Sequence, residues 1–319
     1  MKCDIKCSQY TTSPLQTTPL EFHVILDVND NNLNYITRFE KAILELRSNK
    51  ILRMSRIWVD VLLHCKFNEH FLGFIKHLRK NIVFVSLALL RSDIQSLNIR
   101  NTKKFFNGIV IDLDLEKIDE KQFFYHIKDV FSSTPRNISL HLVPKNVFEI
   151  EDFFKKRVAK FPIKVIIDRP KTVNSDYGKF LSDKAFSRDY ITEDLKSVVI
   201  ADPIFNAIKS YIGLLPPSKK IFSGCRIGIN QIYLTDDGLI TPCPELPLPI
   251  GHIDQDSLWQ IFIGSEELNK FRNKTYYPTC GNCKFWQFCR GCKALAYKAS
   301  KNLFMDDLLC KKIFPNIFR

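Results

Sequence analysis

The chain has 319 residues, of which 45 % are hydrophobic and 25 % are charged, with a formal net charge of +13. This composition excludes a disordered chain and provides enough apolar material for a large core. No apolar run reaches the roughly 18 residues of a membrane span, and the first residues lack the apolar stretch of a signal peptide. We therefore predict a cytoplasmic protein with no membrane partner.

The positive charge does not point to a nucleic-acid partner. Basic residues are spread along the chain, and no basic run with interleaved aromatic residues stands out. Only Gly73 and Gly108 lie in the first 170 residues, which argues against a phosphate-binding glycine loop in that half. We therefore expect no nucleic-acid partner.

In chain order, six short apolar runs rich in β-branched residues predict strands. The runs are 22–28, 57–63, 82–90, 109–115, 138–143 and 163–168. Apolar positions with helical spacing lie between them at 34–48, 68–80, 123–131 and 148–154. Such alternation predicts a parallel sheet, and six units of about 30 residues favour a partial (β/α)6 barrel of the TIM type. An open doubly wound sheet is the alternative.

The carboxyl ends of the predicted strands, where α/β proteins place their chemistry, carry no recognisable catalytic set. The polar positions at these ends are Asp30, His64, Lys66, Asp114 and Arg169. His64 and Cys65 are neighbours, so in a strand they point to opposite faces and do not share one ion. The catalytic residues, if there are any, stay unassigned by the sequence, and we expect these strand ends to face a bound peptide.

Seven of the ten cysteines lie in the last third of the chain, beyond a connecting segment that contains a predicted helix at 201–212. They are Cys225, Cys243, Cys280, Cys283, Cys289, Cys292 and Cys310. Pro216 and Pro217 mark a domain boundary before them. In a cytoplasmic protein such a cluster indicates a metal site rather than disulfides.

The local pattern predicts how the cysteines are held. Asp237 and Gly238, between two apolar runs, predict a hairpin that brings Cys225 and Cys243 towards each other. The close spacing over 280–292 predicts a ligand knuckle that leads into a helix at 293–299. Seven thiolates exceed the needs of one tetrahedral zinc ion. They favour one complete iron–sulfur cluster and a second with an open or non-cysteine position.

The pattern from Cys225 through Gly238 and Cys243 to the 280–292 group and Cys310 resembles a SPASM domain. That domain is the C-terminal auxiliary iron–sulfur domain of radical SAM peptide-modifying enzymes, whose partial barrel the strand–helix units also resemble. The resemblance implies one 4Fe–4S cluster on Cys280, Cys283, Cys289 and Cys310, and another on Cys225, Cys243 and Cys292. It implies an N-terminal extension (1–18), a barrel (19–170), a connecting segment (171–220) and a SPASM domain (221–319).

The sequence departs from radical SAM enzymes at the cofactor site. Their CxxxCxxC motif follows the first strand, where residues 29–34 contain no cysteine, and their Gly-Gly-Glu after the second strand is also missing. The nearest partial match to the CxxxCxxC motif, formed by Cys3 and Cys7, precedes the first strand. In the SPASM region two residues separate Cys289 and Cys292, where many family members have three.

A barrel without these cysteines, together with a basic residue and alanine after Cys292, resembles the SPASM-domain peptide maturase of grasp-with-spasm systems. This implies a protein that acts on or presents a ribosomally synthesised precursor peptide, alongside an ATP-grasp ligase, without binding S-adenosylmethionine. The alternatives are an active radical SAM enzyme that uses Cys3, Cys7 and Cys65, and a zinc-stabilised scaffold. We further expect Lys284, Arg290 and Lys293 to form an exposed basic surface that meets an acidic peptide segment.

Overall fold

In the computed structural model, one sheet joins the N-terminal strands to the cysteine-rich region. The structure describes residues 21–29, 36–52, 55–63, 68–90, 105–113, 138–142, 164–167, 198–200, 225–283, 285–286, 289–307 and 310. Its strands are β1 (Glu21–Val28), β2 (Arg56–Leu63), β3 (Phe84–Leu90), β4 (Gly108–Leu113), β5 (Ile138–Leu142), β6 (Lys164–Ile167), β7 (Val198–Ile200), β8 (Gln231–Leu234), β9 (Leu239–Thr241) and β10 (Gly251–His252). Their order in the sheet is β10-β9-β8-β1-β2-β3-β4-β5-β6-β7.

The parallel sheet predicted from the sequence is confirmed. Strands β1 to β7 pair in succession and in parallel, and all six predicted strands are among them. The sequence analysis missed β7, because three residues are too short for a periodic signal. It also began β3 two residues early, since Ile82 lies in the turn after a helix, with φ +61°.

The described helices are α1 (Ile36–Ser48), α2 (Glu69–Lys80), α3 (Leu258–Gly264), α4 (Glu266–Arg272) and α5 (Lys293–Ser300). The first two and the last confirm predicted helices. The predicted helices at 123–131, 148–154 and 201–212 lie outside the described residues. None of the helices in the described part of the chain is long and apolar enough to cross a membrane.

One face of the sheet forms the core. Residues alternate between buried and partly exposed along β1 and β2, which is the pattern of a sheet covered on one side. Helix α1 packs Phe39 and Ile43 into this core, and α2 packs Phe71 and Leu78. Asn68 begins α2, because its side chain accepts a hydrogen bond from the backbone N–H of Phe71 at 2.8 Å.

The opposite face of the sheet is partly exposed and carries a polar row. His23 Nδ1 on β1 lies 2.8 Å from Asp60 Oδ2 on β2, and Ser86 on β3 donates to the same carboxylate. Burial acts to raise the pKa of Asp60, but the hydrogen bonds of His23 and Ser86 outweigh it and hold this pKa below its usual range. Arg226 Nη1 lies 3.1 Å from His23 Nε2, which connects the polar row to the cysteine-rich region.

The sheet is open within the described residues. Its edge strands, β7 and β10, do not pair with each other there. Strand β8, which follows the predicted domain boundary, pairs in parallel with β1, so the sheet continues into the cysteine-rich region. Closure into a partial barrel stays a prediction. The predicted domain boundaries fall outside the described residues and also stay predictions.

Candidate metal centre

A β-hairpin positions the first two cysteines of the region. Strands β8 and β9 are antiparallel, and Gly238 in the turn has φ +88°, a conformation that favours glycine. Cys243 follows β9 and forms an isolated bridge with Leu246. Cys225 lies before β8, where its N–H donates to the carbonyl of Cys289 at 3.0 Å. The predicted hairpin is therefore confirmed, and it packs against the second cysteine segment.

The second segment is a tight knuckle, as predicted. A short 3-10 helix over Cys280–Asn282 ends at Cys283, whose N–H donates to the carbonyl of Cys280 at 3.1 Å. Arg290 and Gly291 then both adopt positive φ, at +64° and +65°. These two residues reverse the chain, so that Cys292 caps the N-terminus of α5.

Two buried aspartates after α5 bind both parts of the knuckle. Asp306 Oδ1 accepts a hydrogen bond from the N–H of Cys280 at 2.8 Å, and Asp307 Oδ2 accepts one from the N–H of Cys292 at 2.9 Å. The N–H of Cys310 donates to the carbonyl of Asp307 at 3.0 Å. The distant Cys310 is thereby brought to the same region as the knuckle. The sequence analysis missed both aspartates, since a pair of acidic residues near a chain end looks like solvated surface.

The thiols interact in two groups. Burial, together with the nearby thiols of Cys225 and Cys292, raises the pKa of Cys243 to about 12. Burial likewise raises the pKa of Cys310 to about 12, with Cys280 and Cys283 among the groups that add to it. The full assignment of seven ligands stays a prediction.

The donor chemistry fits iron–sulfur clusters. All seven described cysteines are free of disulfides. Cys283 Sγ accepts the N–H of Phe285 at 3.4 Å and Cys289 Sγ accepts that of Gly291 at 3.3 Å, and such hydrogen bonds to sulfur help set cluster potentials. Within the described residues, no three cysteine, histidine or acidic side chains are arranged to hold a single metal ion. A four-iron cluster requires a different arrangement of ligands, because each of its cysteine sulfurs binds a different iron atom.

The basic residues of the knuckle are buried, so the expected exposed basic surface is wrong for Arg290 and Lys293. They are 6 % and 2 % exposed. Arg290 Nη2 donates to the carbonyl of Phe271 at 2.6 Å, and Lys293 Nζ lies 3.7 Å from the centroid of the Tyr277 ring. Both side chains lie inward, where the guanidinium of Arg290 lies over the Trp286 ring and the ammonium of Lys293 lies over the Tyr277 ring. Lys284 lies outside the described residues.

These two buried cations provide a test of whether the site suits an anionic cluster. Lys293 Nζ and Arg290 Nε have no hydrogen-bond partner among the described residues. Burial lowers the pKa of both groups, while the neighbouring thiol of Cys225 acts in the opposite direction on each. A buried cation is costly unless it is compensated by an anion. The cysteine-rich region therefore has the charge distribution that a thiolate-bound cluster requires.

Gly281, between the first two cysteines of the knuckle, tests how tightly this segment is packed. A Cβ at this position would lie 2.0 Å from the backbone oxygen of Lys274. We expect Gly281→Ala to lower the free energy of unfolding by about 1–3 kcal/mol, as over-packing does, and to reduce the iron retained during purification. Denaturant unfolding and iron analysis measure the two effects.

Gly73→Ala in α2 is the matched control, because a Cβ there meets no atom within 4 Å. Replacing a helical glycine is expected to raise the free energy of unfolding by about 0.5–1 kcal/mol without changing the iron content. Equal stability and iron content for Gly281→Ala and wild type would contradict the packing of the knuckle described above.

Comparison with known proteins identifies the cysteine-rich region. Residues 225–284 match the family model of SPASM, an iron–sulfur cluster-binding domain. The chain is also 31 % identical over 88 residues to the AdoMet-dependent heme synthase of Nitratidesulfovibrio vulgaris, a match that covers 27 % of this chain and 24 % of that protein. The proteins of the same name from Oleidesulfovibrio alaskensis and Methanosarcina barkeri are 30 % and 28 % identical over 88 residues, which cover 27 % of this chain and 23 % and 25 % of those proteins.

Residues 225–284 therefore form a SPASM-type iron–sulfur cluster-binding domain, and the chain has distant homology over 88 residues to AdoMet-dependent heme synthases. The matched segment spans about a quarter of the length of these curated relatives.

Proposed function

We propose that the protein is a cytoplasmic peptide-maturation protein that holds auxiliary 4Fe–4S clusters. It acts on, or presents, a ribosomally synthesised precursor peptide together with an ATP-grasp ligase, and it carries out no radical chemistry of its own. The observation that carries this proposal is a SPASM-type domain with seven disulfide-free cysteines, six of which interact electrostatically in two groups of three. When bound, the clusters supply one-electron transfer.

In this proposal Cys280, Cys283, Cys289 and Cys310 hold one cluster. Cys225, Cys243 and Cys292 hold the second, whose remaining position is open or filled by another donor. The pairing of β8 with β1 supports a role beyond metal storage, because it attaches the cysteine-rich region to the parallel sheet. The clusters would then lie in a fixed position relative to the ligand-binding edge of that sheet.

The carboxyl ends of β1 and β8 support a peptide site at this edge. Asn29 donates to Asp236, and the Tyr233 hydroxyl donates to Asp27 Oδ2 at 2.8 Å, so polar groups of both strands meet there. Open α/β sheets bind ligands outside the carboxyl ends of their strands. The five strand-end positions named from the sequence, Asp30, His64, Lys66, Asp114 and Arg169, lie outside the described residues, and their peptide contacts stay predictions.

The proposal excludes cleavage of S-adenosylmethionine, because a radical SAM cluster uses three cysteines in CxxxCxxC and the 319 residues contain no such motif. We expect dithionite-reduced protein, incubated with S-adenosylmethionine, to form no 5′-deoxyadenosine above the level of a protein-free control. Chromatography with mass detection measures this product.

The competing function is an active radical SAM enzyme, and the name of the curated relatives, AdoMet-dependent heme synthase, favours it. Formation of 5′-deoxyadenosine by wild type, lost in Cys3→Ala or Cys7→Ala, would establish that alternative and overturn our proposal. Both cysteines lie outside the described residues.

The peptide function is tested by co-expression. The genes next to that of the chain are first inspected for a short peptide and an ATP-grasp ligase. These are then co-expressed with the chain, and the mass of the peptide is compared with and without the chain. We expect a mass change that depends on the chain and survives in the Cys3→Ala variant. The absence of such neighbouring genes, or an unchanged peptide, would contradict the proposal.

A further inference from the structure

Two cations, each next to a cysteine in the sequence, are buried in the knuckle. Lys293 begins α5 and is 2 % exposed, and Arg290 lies three residues earlier and is 6 % exposed. Lys293 interacts electrostatically with Cys280 and Cys289 of the first predicted ligand set and with Cys225 of the second. Arg290 interacts with Cys225 and repels Lys293. Cysteines of both predicted sets therefore lie within electrostatic reach of Lys293.

The described protein groups that contact these cations are neutral. The acceptors of Arg290 are the carbonyl oxygens of Ile227 and Phe271, at 3.3 and 2.6 Å. Lys293 Nζ lies over the rings of Tyr277 and Trp286, at 3.7 and 5.8 Å from their centroids.

A cation–π contact attracts an ammonium group, but it does not neutralise the charge. The buried carboxylates of the region, Asp306 and Asp307, accept hydrogen bonds from the backbone N–H groups of Cys280 and Cys292. Two buried like charges without an ion-pair partner among the described residues are unfavourable. An anion bound near Lys293 and Arg290 would therefore stabilise this region.

We propose that Lys293, supported by Arg290, is a positioning residue that supplies the counter-charge for the iron–sulfur clusters and raises their reduction potential. This inference rests on the proposed function, since it requires the cysteines to hold clusters. A four-iron cluster with thiolate ligands is an anion, and reduction adds one more negative charge to it. A cation held at a fixed distance in a buried region therefore stabilises the reduced cluster more than the oxidised one.

The proposed role predicts opposite effects with and without the clusters. In the cluster-free protein the ammonium of Lys293 is buried without a compensating anion among the described residues, so its removal relieves the cost of burying it and stabilises the fold. In the loaded protein Lys293 is compensated, so its removal weakens cluster retention and lowers the reduction potential. If Lys293 only packs against Tyr277, its removal should lower stability both in the cluster-free and in the loaded protein.

The test compares three variants of the full chain. Lys293→Met keeps the length of the side chain and removes its charge, and Lys293→Arg keeps the charge. Lys298→Met is the matched control, because Lys298 lies on the same helix but is half exposed and pairs with Glu245 at the surface. Each protein is purified anaerobically, and we measure iron and sulfide per chain, the reduction midpoint by dithionite titration, and denaturant unfolding after a chelator has removed the iron.

We expect Lys293→Met to shift the midpoint to more negative potential by an amount equal to about a tenfold change in the oxidised-to-reduced ratio, about 59 mV for a one-electron couple. The same variant should require more denaturant to unfold when cluster-free. Lys293→Arg and Lys298→Met should both keep the wild-type midpoint. If Lys293→Met yields no folded protein, Lys293→Gln is used instead, and its reduction midpoint is compared with that of Lys298→Met in the same way.

Two results would overturn the inference: equal midpoints for Lys293→Met and Lys298→Met, or a cluster-free Lys293→Met protein that is less stable than wild type. A wild-type protein without iron and sulfide is a different failure, since it would refute the proposed function itself and the inference with it.

Discussion

Replacing Cys283 with alanine is expected to remove one cluster and leave the other, so that the protein loses about half of its iron and sulfide. Cys283 belongs to the predicted set that contains Cys310, on whose pKa it acts. Cys243→Ala should have the same effect through the second set, and the double variant should retain almost no iron. Iron and sulfide analysis of anaerobically purified protein, which should be brown in the wild type, provides the measurement.

The stability of the region should change together with the iron content. Cluster binding is coupled to folding, because the ligands are gathered only in the folded chain. We therefore expect the Cys283→Ala protein to be cleaved more rapidly by protease within 225–310 than the wild type. Cys65→Ala is the matched control and should change neither measurement, since Cys65 belongs to neither set. Stoichiometric zinc without sulfide in the wild type would instead support the zinc-stabilised scaffold.

Replacing Arg272 with methionine is expected to lower the free energy of unfolding by about 1–3 kcal/mol, the cost of leaving buried hydrogen-bond acceptors without a donor. Arg272 is 2 % exposed at the end of α4, and its guanidinium lies over the Phe262 ring at 4.7 Å. Its Nε donates to the carbonyl of Gly228 at 2.6 Å, and its Nη2 donates to that of Phe262. The substitution leaves these buried acceptors without their donor.

The control for this variant is Lys270→Met on the same helix. Lys270 pairs with Glu266 at the surface, one helical turn away, and such exposed pairs contribute little to stability. We expect its denaturation midpoint to equal that of the wild type, while the midpoint of Arg272→Met falls. Similar midpoints for the two variants would show that the contacts of Arg272 do not hold α3 and α4 to the segment before β8.

The strands were predictable because the parallel sheet buries one whole face. In β1 the apolar residues at 22, 24, 26 and 28 are all buried, and the alternation with partly exposed residues is visible in the sequence itself. The hairpin before Cys243 was predictable for a local reason, since Asp237 and Gly238 specify the turn without help from the rest of the chain. The polar row of His23, Asp60 and Ser86 was not predictable, because it joins residues from three strands whose alignment depends on sheet pairing.

The sequence by itself determined the parallel strands, the knuckle and the spacing of seven cysteines, because each depends on residues close together along the chain. Only the tertiary structure decided that β8 pairs with β1 and that two thiol groups interact across long sequence separations. It also decided that Arg290 and Lys293 are buried rather than exposed. Charge type can be read from a sequence, but burial depends on which surfaces the fold brings together, and here the folded knuckle places two cations in the interior.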